Sequence, residues 1–167
     1  MIAIKRVVLT FLSLAVLFSI YSFDISVQSH ANQLPEQIVQ TNTNSLEDEI
    51  FSLVNEHRQA IGMAALKLSK VESTEALKHS KDMATGKVPF SHDGFRKRIQ
   101  VISGQMGAIM ASGENVAFGS MSAKEVLDTW LQSPPHRKNI EGDYVYTGIG
   151  TAKDKDGVVY FTEIFTR

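Results

Sequence analysis

Histidine and glutamate side chains are the groups of this sequence with the clearest capacity for chemistry. The sequence has five histidines and no cysteine, which excludes disulfides, thiolate metal sites, iron–sulfur clusters and a cysteine nucleophile. His92 and His136 each stand in a loop beside a predicted helix end, where binding and catalytic groups are often held. A neutral imidazole binds Zn²⁺ and other divalent ions, and it also acts as a general base. These two histidines are therefore the first candidates for a site.

The other three histidines have structural or neutral interpretations. His30 falls in or beside the leader described below. His57 lies on the apolar stripe of a predicted helix, which predicts a half-buried, hydrogen-bonded imidazole. His79 stands between Lys78 and Lys81, and we expect it to face solvent.

Glu114 is the third candidate, because it follows a glycine and precedes a small apolar run in the segment GENVA at 113–117. If this run enters the core, the carboxylate must find a donor or a cation, since an unpaired buried charge is costly. A pair of histidines would supply one. An exposed glutamate in a turn is the alternative, and the sequence leaves both open.

Composition restricts the class of protein around these groups. The chain has 167 residues, of which 43% are hydrophobic and 21% charged, as in folded globular domains. The formal net charge of −1 lacks the basic surplus of nucleic-acid-binding proteins. We therefore expect one folded domain and no nucleic-acid partner.

The first part of the chain has the pattern of an export signal. Lys5 and Arg6 precede an apolar run at 7–23, and a small-residue cleavage site ends at Ala31. We interpret residues 1–31 as a signal peptide. An uncleaved signal anchor is the alternative, because about 17 residues is the lower limit for spanning a bilayer.

A polar linker separates this leader from the folded domain. Residues 32–45 are rich in amides and poor in large apolar groups, so they cannot bury enough surface to offset the entropy of ordering. The folded domain is predicted at 46–167. An exported chain would be extracellular, or periplasmic and associated with the cell envelope, and would touch membrane only through an uncleaved leader.

Helices are predicted first in the domain. Ser45, Ser69 and Ser122 each precede apolar residues at helical spacing, and serine is a favoured helix cap. Trp130 lies on the apolar side of the third of these helices. Pro134 stops that helix, since proline cannot continue one.

Strands are predicted last. Residues 144–151 and 158–165 are rich in Val, Ile, Tyr, Phe and Thr, which suit a pleated surface. The loop between them at 154–157 reads Asp-Lys-Asp-Gly and favours a hairpin. Helices followed by an antiparallel pair predict an α+β fold.

Several segments reproduce, in order and with sensible spacing, the motifs of one family: NEHR at 55–58 with Gly62 and Leu66; Ala76, Ser80 and Met83 before FSH at 90–92; GENVA at 113–117; WLQSPPHRKNI at 130–140; and YTGIG at 146–150. Together they resemble a CAP domain in its bacterial form. This superfamily comprises cysteine-rich secretory proteins, antigen 5 and pathogenesis-related 1 proteins. The resemblance covers residues 46–165.

The resemblance implies a three-layer α-β-α sandwich with a central antiparallel sheet and a cleft lined by two histidines and two acidic residues. His92, His136 and Glu114 match the histidine positions and the first glutamate. Ser133 stands where the family has its second glutamate, so this set is incomplete. Glu163, in the last predicted strand, is a further candidate for the cleft.

Two functions follow as expectations. The first is an exported binding module whose cleft holds a small ligand, a lipid, or a divalent metal such as Zn²⁺ on His92, His136 and Glu114. The second is a metal-assisted or His/Glu-dependent hydrolase of the protease type, with Ser91 or Ser133 as conceivable nucleophiles. The sequence has neither a Gly-x-Ser-x-Gly elbow nor a His-Glu-x-x-His pair. A purely structural polar network is a third interpretation.

We expect the exported protein to begin at Asn32, because the basic head and the apolar run match a cleavable signal. N-terminal sequencing of protein from the cell-free fraction tests this. Recovery of only the full-length chain, in the membrane fraction, would indicate the anchor instead.

Overall fold

The computed structural model describes residues 45–167, so the predicted signal peptide at 1–31 and the linker up to residue 44 lie outside the described residues. The helices and strands of the described part are α1 Leu46–Ala60, β1 Lys67–Leu68, α2 Lys70–Ala84, α3 Phe95–Met106, β2 Ser112–Gly119, α4 Ala123–Gln132, α5 Pro134–Ile140, β3 Tyr146–Lys153 and β4 Val159–Thr166.

Serine caps begin three of the helices, as the sequence predicts. Ser45 and Ser122 form complete capping boxes, in which the side chain of the third helical residue returns to the backbone of the serine. Ser69 accepts a hydrogen bond from the backbone N–H of Glu72, but the side chain of Glu72 turns into the protein interior. The cap of α2 therefore has only one of the two hydrogen bonds of a capping box.

The Pro134 break has a second effect that the sequence analysis did not anticipate. Helix α4 ends at Gln132, as expected, but Pro134 is also the first residue of α5. Proline is tolerated there because the first N–H groups of a helix have no partner within it. The segment that carries His136 is consequently a short helix and not a loop.

The sheet has four strands in the order β1-β3-β4-β2. Strands β3 and β4 form an antiparallel hairpin, and β2 pairs antiparallel with the other side of β4. The observed strands of the hairpin begin within two residues of the predicted ones, and the loop between them lies where it was predicted. Only the two-residue edge strand β1 is parallel to its neighbour.

Helices cover both faces of this sheet. Phe161 and Phe165 of β4 face a core shared with α1, α4 and α5. Ile164 points to the opposite face, where it packs with Ala76 of α2 and Ile102 of α3. The α+β sandwich of three layers with a mainly antiparallel central sheet is therefore confirmed.

Two glycines of β3 let α2 lie directly on the strand. A Cβ atom added to Gly148 would lie 2.1 Å from the backbone nitrogen of Ser73. One added to Gly150 would lie 2.1 Å from the backbone nitrogen of Leu77. Any side chain at either glycine would push the helix away from the sheet.

Trp130 is fully buried in the larger core, and its indole N–H donates to the backbone carbonyl of Val116 at 3.3 Å. We expect Trp130→Ala to lower the free energy of unfolding by about 3–5 kcal/mol, because it removes a large buried side chain and leaves a cavity that the surrounding residues cannot fill. Urea denaturation measures the change. Met110→Ala, at an 83% exposed position, is the control and should change stability little. An unchanged midpoint for the tryptophan variant would contradict this core assignment.

Glu163 is fully buried in β4, beneath α1. Its Oε1 accepts a hydrogen bond from Thr147 Oγ1 at 3.1 Å, and its Oε2 has no partner among residues 45–167. Burial raises the pKa of Glu163 to about 8, although the Thr147 hydrogen bond and the charge of Arg58 act in the opposite direction. The group is therefore largely a neutral acid at neutral pH.

This raised pKa makes stability depend on pH. Between the ordinary pKa of 4.5 and the folded value of about 8, the folded state holds a proton that the unfolded state releases. The stabilisation is thus complete below the first value and is lost as pH rises through the second.

We expect Glu163→Gln to flatten the decline in stability between about pH 5 and about pH 8, because glutamine keeps the shape without a titrating proton. Urea denaturation at both pH values measures the slope. Glu49→Gln, at an exposed position of α1, is the matched control. Equal slopes in all three proteins would show that Glu163 does not titrate in this range.

Candidate functional site

A chain of three side chains forms the centre of the candidate site. Glu114 of β2 has a side chain that is only 1% exposed. Arg98 of α3 donates two hydrogen bonds to this carboxylate, from Nε to Oε2 at 2.8 Å and from Nη2 to Oε1 at 2.7 Å. His92 Nδ1 lies 2.9 Å from Oε1. Because a carboxylate only accepts, Nδ1 carries the hydrogen and Nε2 is left as the free acceptor of a half-exposed ring.

Arg98 is a residue of the candidate site that the sequence analysis did not identify. The expectation that a buried Glu114 needs a cation is correct, and the exposed-turn alternative is wrong. The main cation is the guanidinium, with His92 as a second partner. A signal existed: Arg98 precedes Ile102 by one helical turn, so it shares the buried face of α3.

The loop before α3 is shaped by the same arginine. Arg98 Nη1 donates to the backbone carbonyl of Asp93 at 2.9 Å. Gly94, with a φ of 79°, provides the left-handed residue at the helix start, where an added Cβ would lie 3.3 Å from Nη1. This turn fixes the position of His92, two residues earlier in the chain.

Hydrogen bonds from the side chains of two asparagines connect α5, which carries His136, to strand β2. Asn115 Nδ2 donates to the backbone carbonyl of His136 at 3.1 Å. Asn139 Nδ2 donates to the backbone carbonyl of Glu114 at 3.0 Å and to Asn115 Oδ1 at 2.8 Å. Burial lowers the pKa of His136, and the charge of nearby His92 lowers it further. His136 Nδ1 is buried and has no partner among the described residues.

Ser133 and Glu163 are the two remaining residues that the sequence analysis predicted for the cleft. Ser133 joins α4 to α5 and is half-buried, and its side chain makes no cap bond to α5. Glu163 lies inside the core, where its neighbours are Thr147 and Arg58. Among residues 45–167, no three or more side chains of the metal-binding types converge closely enough to hold an ion.

Two other histidines have clear positions. His57 is half-buried, and its Nε2 lies 2.9 Å from Glu141 Oε1, as the structural interpretation predicts. The prediction that His79 faces solvent is wrong, because its residue is only 3% exposed. It shares a helix face with the buried residues Ala76 and Met83. This helical periodicity predicts its burial better than the neighbouring lysines predict its exposure.

Comparison with known proteins agrees with this fold. The sequence profile of the cysteine-rich secretory protein family, CAP, matches residues 51–165. An uncharacterized protein of Bacillus subtilis, YkwD, is 28% identical over 134 residues, which cover 74% of this chain and 52% of the relative. The chain thus spans about half the length of that relative.

Solved structures show the same likeness. An extracellular protein containing an SCP domain from Bacillus anthracis is 29% identical, with a TM-score of 0.62, and the match covers 73% of this chain and 40% of that one. An outer surface protein from Borrelia burgdorferi shares the fold, with a TM-score of 0.62 at 19% identity over 71% of this chain and 89% of its own.

These neighbours are extracellular or surface proteins by their descriptions. In the part of this chain that the structure describes, no helix has the length and apolar character needed to cross a bilayer. With a family profile that matches most of the chain, and a sandwich that superposes on solved members, the chain belongs to the cysteine-rich secretory protein family.

Proposed function

We propose that this domain is an exported binding module in which His92 and His136 bind a divalent cation, with Zn²⁺ as the reference ion, or a small ligand at the same place. The observation that carries the proposal is the buried Glu114 carboxylate behind His92 Nδ1. Histidines that bind metals usually donate their second ring N–H to a carboxylate, which fixes the tautomer and the direction of the ring. His92 has this arrangement, because its Nδ1–H donates to Glu114 and its Nε2 is left to bind the metal.

Glu114 serves this proposal as a positioning residue and not as a ligand. Both of its oxygens are engaged by Arg98, and one also by His92. A cation bound directly to Glu114 would have to displace the guanidinium or share the carboxylate with it. The three-ligand set expected from the sequence is therefore replaced by two imidazoles.

The proposed second ligand is His136, whose buried Nδ1 has no partner among residues 45–167. Its lowered pKa favours the neutral, metal-binding form. Ser133 stands where the family has a second glutamate, so this site has less negative charge than a site with both glutamates. Two protein ligands would leave positions open for water or a ligand, and affinity would be below that of a closed structural site.

Hydrolysis is the second candidate function, and one observation favours it. A histidine oriented by a carboxylate is also the arrangement of a general base. Ser91 does not suit the role of nucleophile, because its Oγ donates to the backbone carbonyl of Pro89 and accepts from the backbone N–H of Asp93. The nucleophile would be a water molecule activated by His92.

We expect His92→Ala and His136→Ala each to abolish tight Zn²⁺ binding, measured by calorimetry. Glu114→Gln should weaken it about 10–100-fold, the usual effect of losing such a supporting partner. Binding by the wild type should fall at acid pH, because protonated imidazoles cannot bind a metal, and the lowered pKa of His136 moves its share of this loss below the ordinary histidine value. His57→Ala is the matched control, since His57 of α1 pairs with Glu141 at the end of α5 and takes no part in the contacts of His92, Arg98 and Glu114.

Equal Zn²⁺ binding by the wild type and both site variants would overturn the metal proposal. A loss of stability with no effect on Zn²⁺ would favour the structural network instead. Hydrolysis of a peptide or ester substrate that is lost in His92→Ala but retained in His57→Ala would favour the enzyme.

A further inference from the structure

Glu72 places a carboxyl group between α2 and the sheet, where the residue is fully buried. Its side chain starts directly over β3, because a Cβ atom added to Gly148 would lie 2.4 Å from the Cβ of Glu72. Neither carboxyl oxygen has a hydrogen-bond partner among residues 45–167. The hydroxyl of Thr166, the last residue of β4, is also buried, and within the same residues it too has no partner. Buried polar atoms are nearly always hydrogen-bonded, so these three atoms require an explanation.

The carboxyl group of Glu72 and the hydroxyl of Thr166 are neighbours in space. Burial raises the pKa of Glu72, and the hydroxyls of Thr166 and Ser69 oppose this shift, which requires both to lie near the carboxyl group. Neither hydroxyl, however, bonds to it with normal distance and angle. The groups are therefore close together without satisfying one another directly.

Ser69 does not supply the missing donor. Its Oγ accepts from the backbone N–H of Glu72 at 3.4 Å and donates its hydrogen to the thioether sulfur of Met106 at 3.4 Å. Its backbone N–H, which a glutamate at this position binds in a capping box, donates instead to the carbonyl of Thr147 at 2.8 Å. Both donors of the helix cap are thus engaged elsewhere.

A water molecule matches the groups that remain. A protonated carboxyl group has an O–H donor, and a threonine hydroxyl can both donate and accept. Buried waters typically make about three hydrogen bonds to polar groups that would otherwise be unsatisfied. A cation suits this place less well, because burial favours the neutral acid over the carboxylate.

We propose that one internal water molecule binds between Glu72, Thr166 and Ser69, and connects the start of α2 to the end of β4. The water accepts hydrogen bonds from the Glu72 carboxyl group and the Thr166 hydroxyl, and it donates one to Ser69 Oγ. Through Ser69 and Met106 the same network reaches the end of α3. The site does not depend on metal binding at His92 and His136.

A crystal structure that shows ordered waters tests the proposal. One water is expected at about 2.5–3.2 Å from both a Glu72 oxygen and Thr166 Oγ1. Glu72→Gln, which keeps a donor and an acceptor, should retain this water, and Glu72→Leu should lose it. Direct contact between Glu72 and Thr166 with no density between them would overturn the proposal, as would a bound metal ion in place of the water.

A double-mutant cycle in urea tests the bridge in solution. Glu72→Leu and Thr166→Val each remove one end of it, so their effects on the free energy of unfolding should not add. Thr162→Val is the matched control, because the Thr162 hydroxyl is equally buried but accepts directly from Ser80 Oγ at 2.8 Å. Its effect should add to that of Glu72→Leu. Additive effects for Glu72→Leu and Thr166→Val would show that no water couples the two side chains.

Discussion

The ion pair between Arg98 and Glu114 is the contact on which the arrangement of the site depends. Removing two charges from water costs several kcal/mol per ion, and only good geometry with further hydrogen bonds recovers it. Here the guanidinium binds both carboxylate oxygens, and His92 adds a third bond. The pair joins α3 to the edge strand β2 and, through the carbonyl of Asp93, holds the preceding loop. The direction of His92 is therefore set from inside the protein.

Three buried glutamates of the domain differ because of what lies beside them. Glu114 has a guanidinium in contact. Glu163 has only a hydroxyl in contact and the more distant charge of Arg58, and burial raises its pKa to about 8. Glu72 is also fully buried, and burial raises its pKa, while nearby threonine and serine hydroxyls oppose the shift. Residue type alone does not decide whether a buried carboxylate is charged. The distance to the nearest cation decides it.

The parts of the fold that the sequence predicts are those with local causes. The caps at Ser45 and Ser122, the turn at 154–157 and the burial of Trp130 each follow from neighbours a few residues away. The family resemblance adds the sandwich and the strand that carries Glu114.

The missed features depend on contacts between distant residues. Arg98 and Glu114 are 16 positions apart, and nothing in either segment identifies the other as its partner. Glu163 resembles a cleft residue in the sequence, yet alternation along β4 points it beneath α1 with Phe161 and Phe165. The carbonyl that holds His79 comes from a loop 12 positions later. Pairings of this kind appear only when the chain is folded.

The seating of α2 on the two glycines of β3 also has a kinetic consequence. Ser80 of α2 donates to the carbonyl of Gly150, 70 positions later, and the smaller core of Ala76, Ile102 and Ile164 is completed by the last strand. The first helices therefore have no sheet to pack against until the C-terminal hairpin exists. Long loops must close before their contacts are gained, which slows folding and prolongs the exposure of apolar surface. A chain that emerges from the ribosome N-terminus first would remain open to proteases and aggregation until the C-terminal hairpin is made.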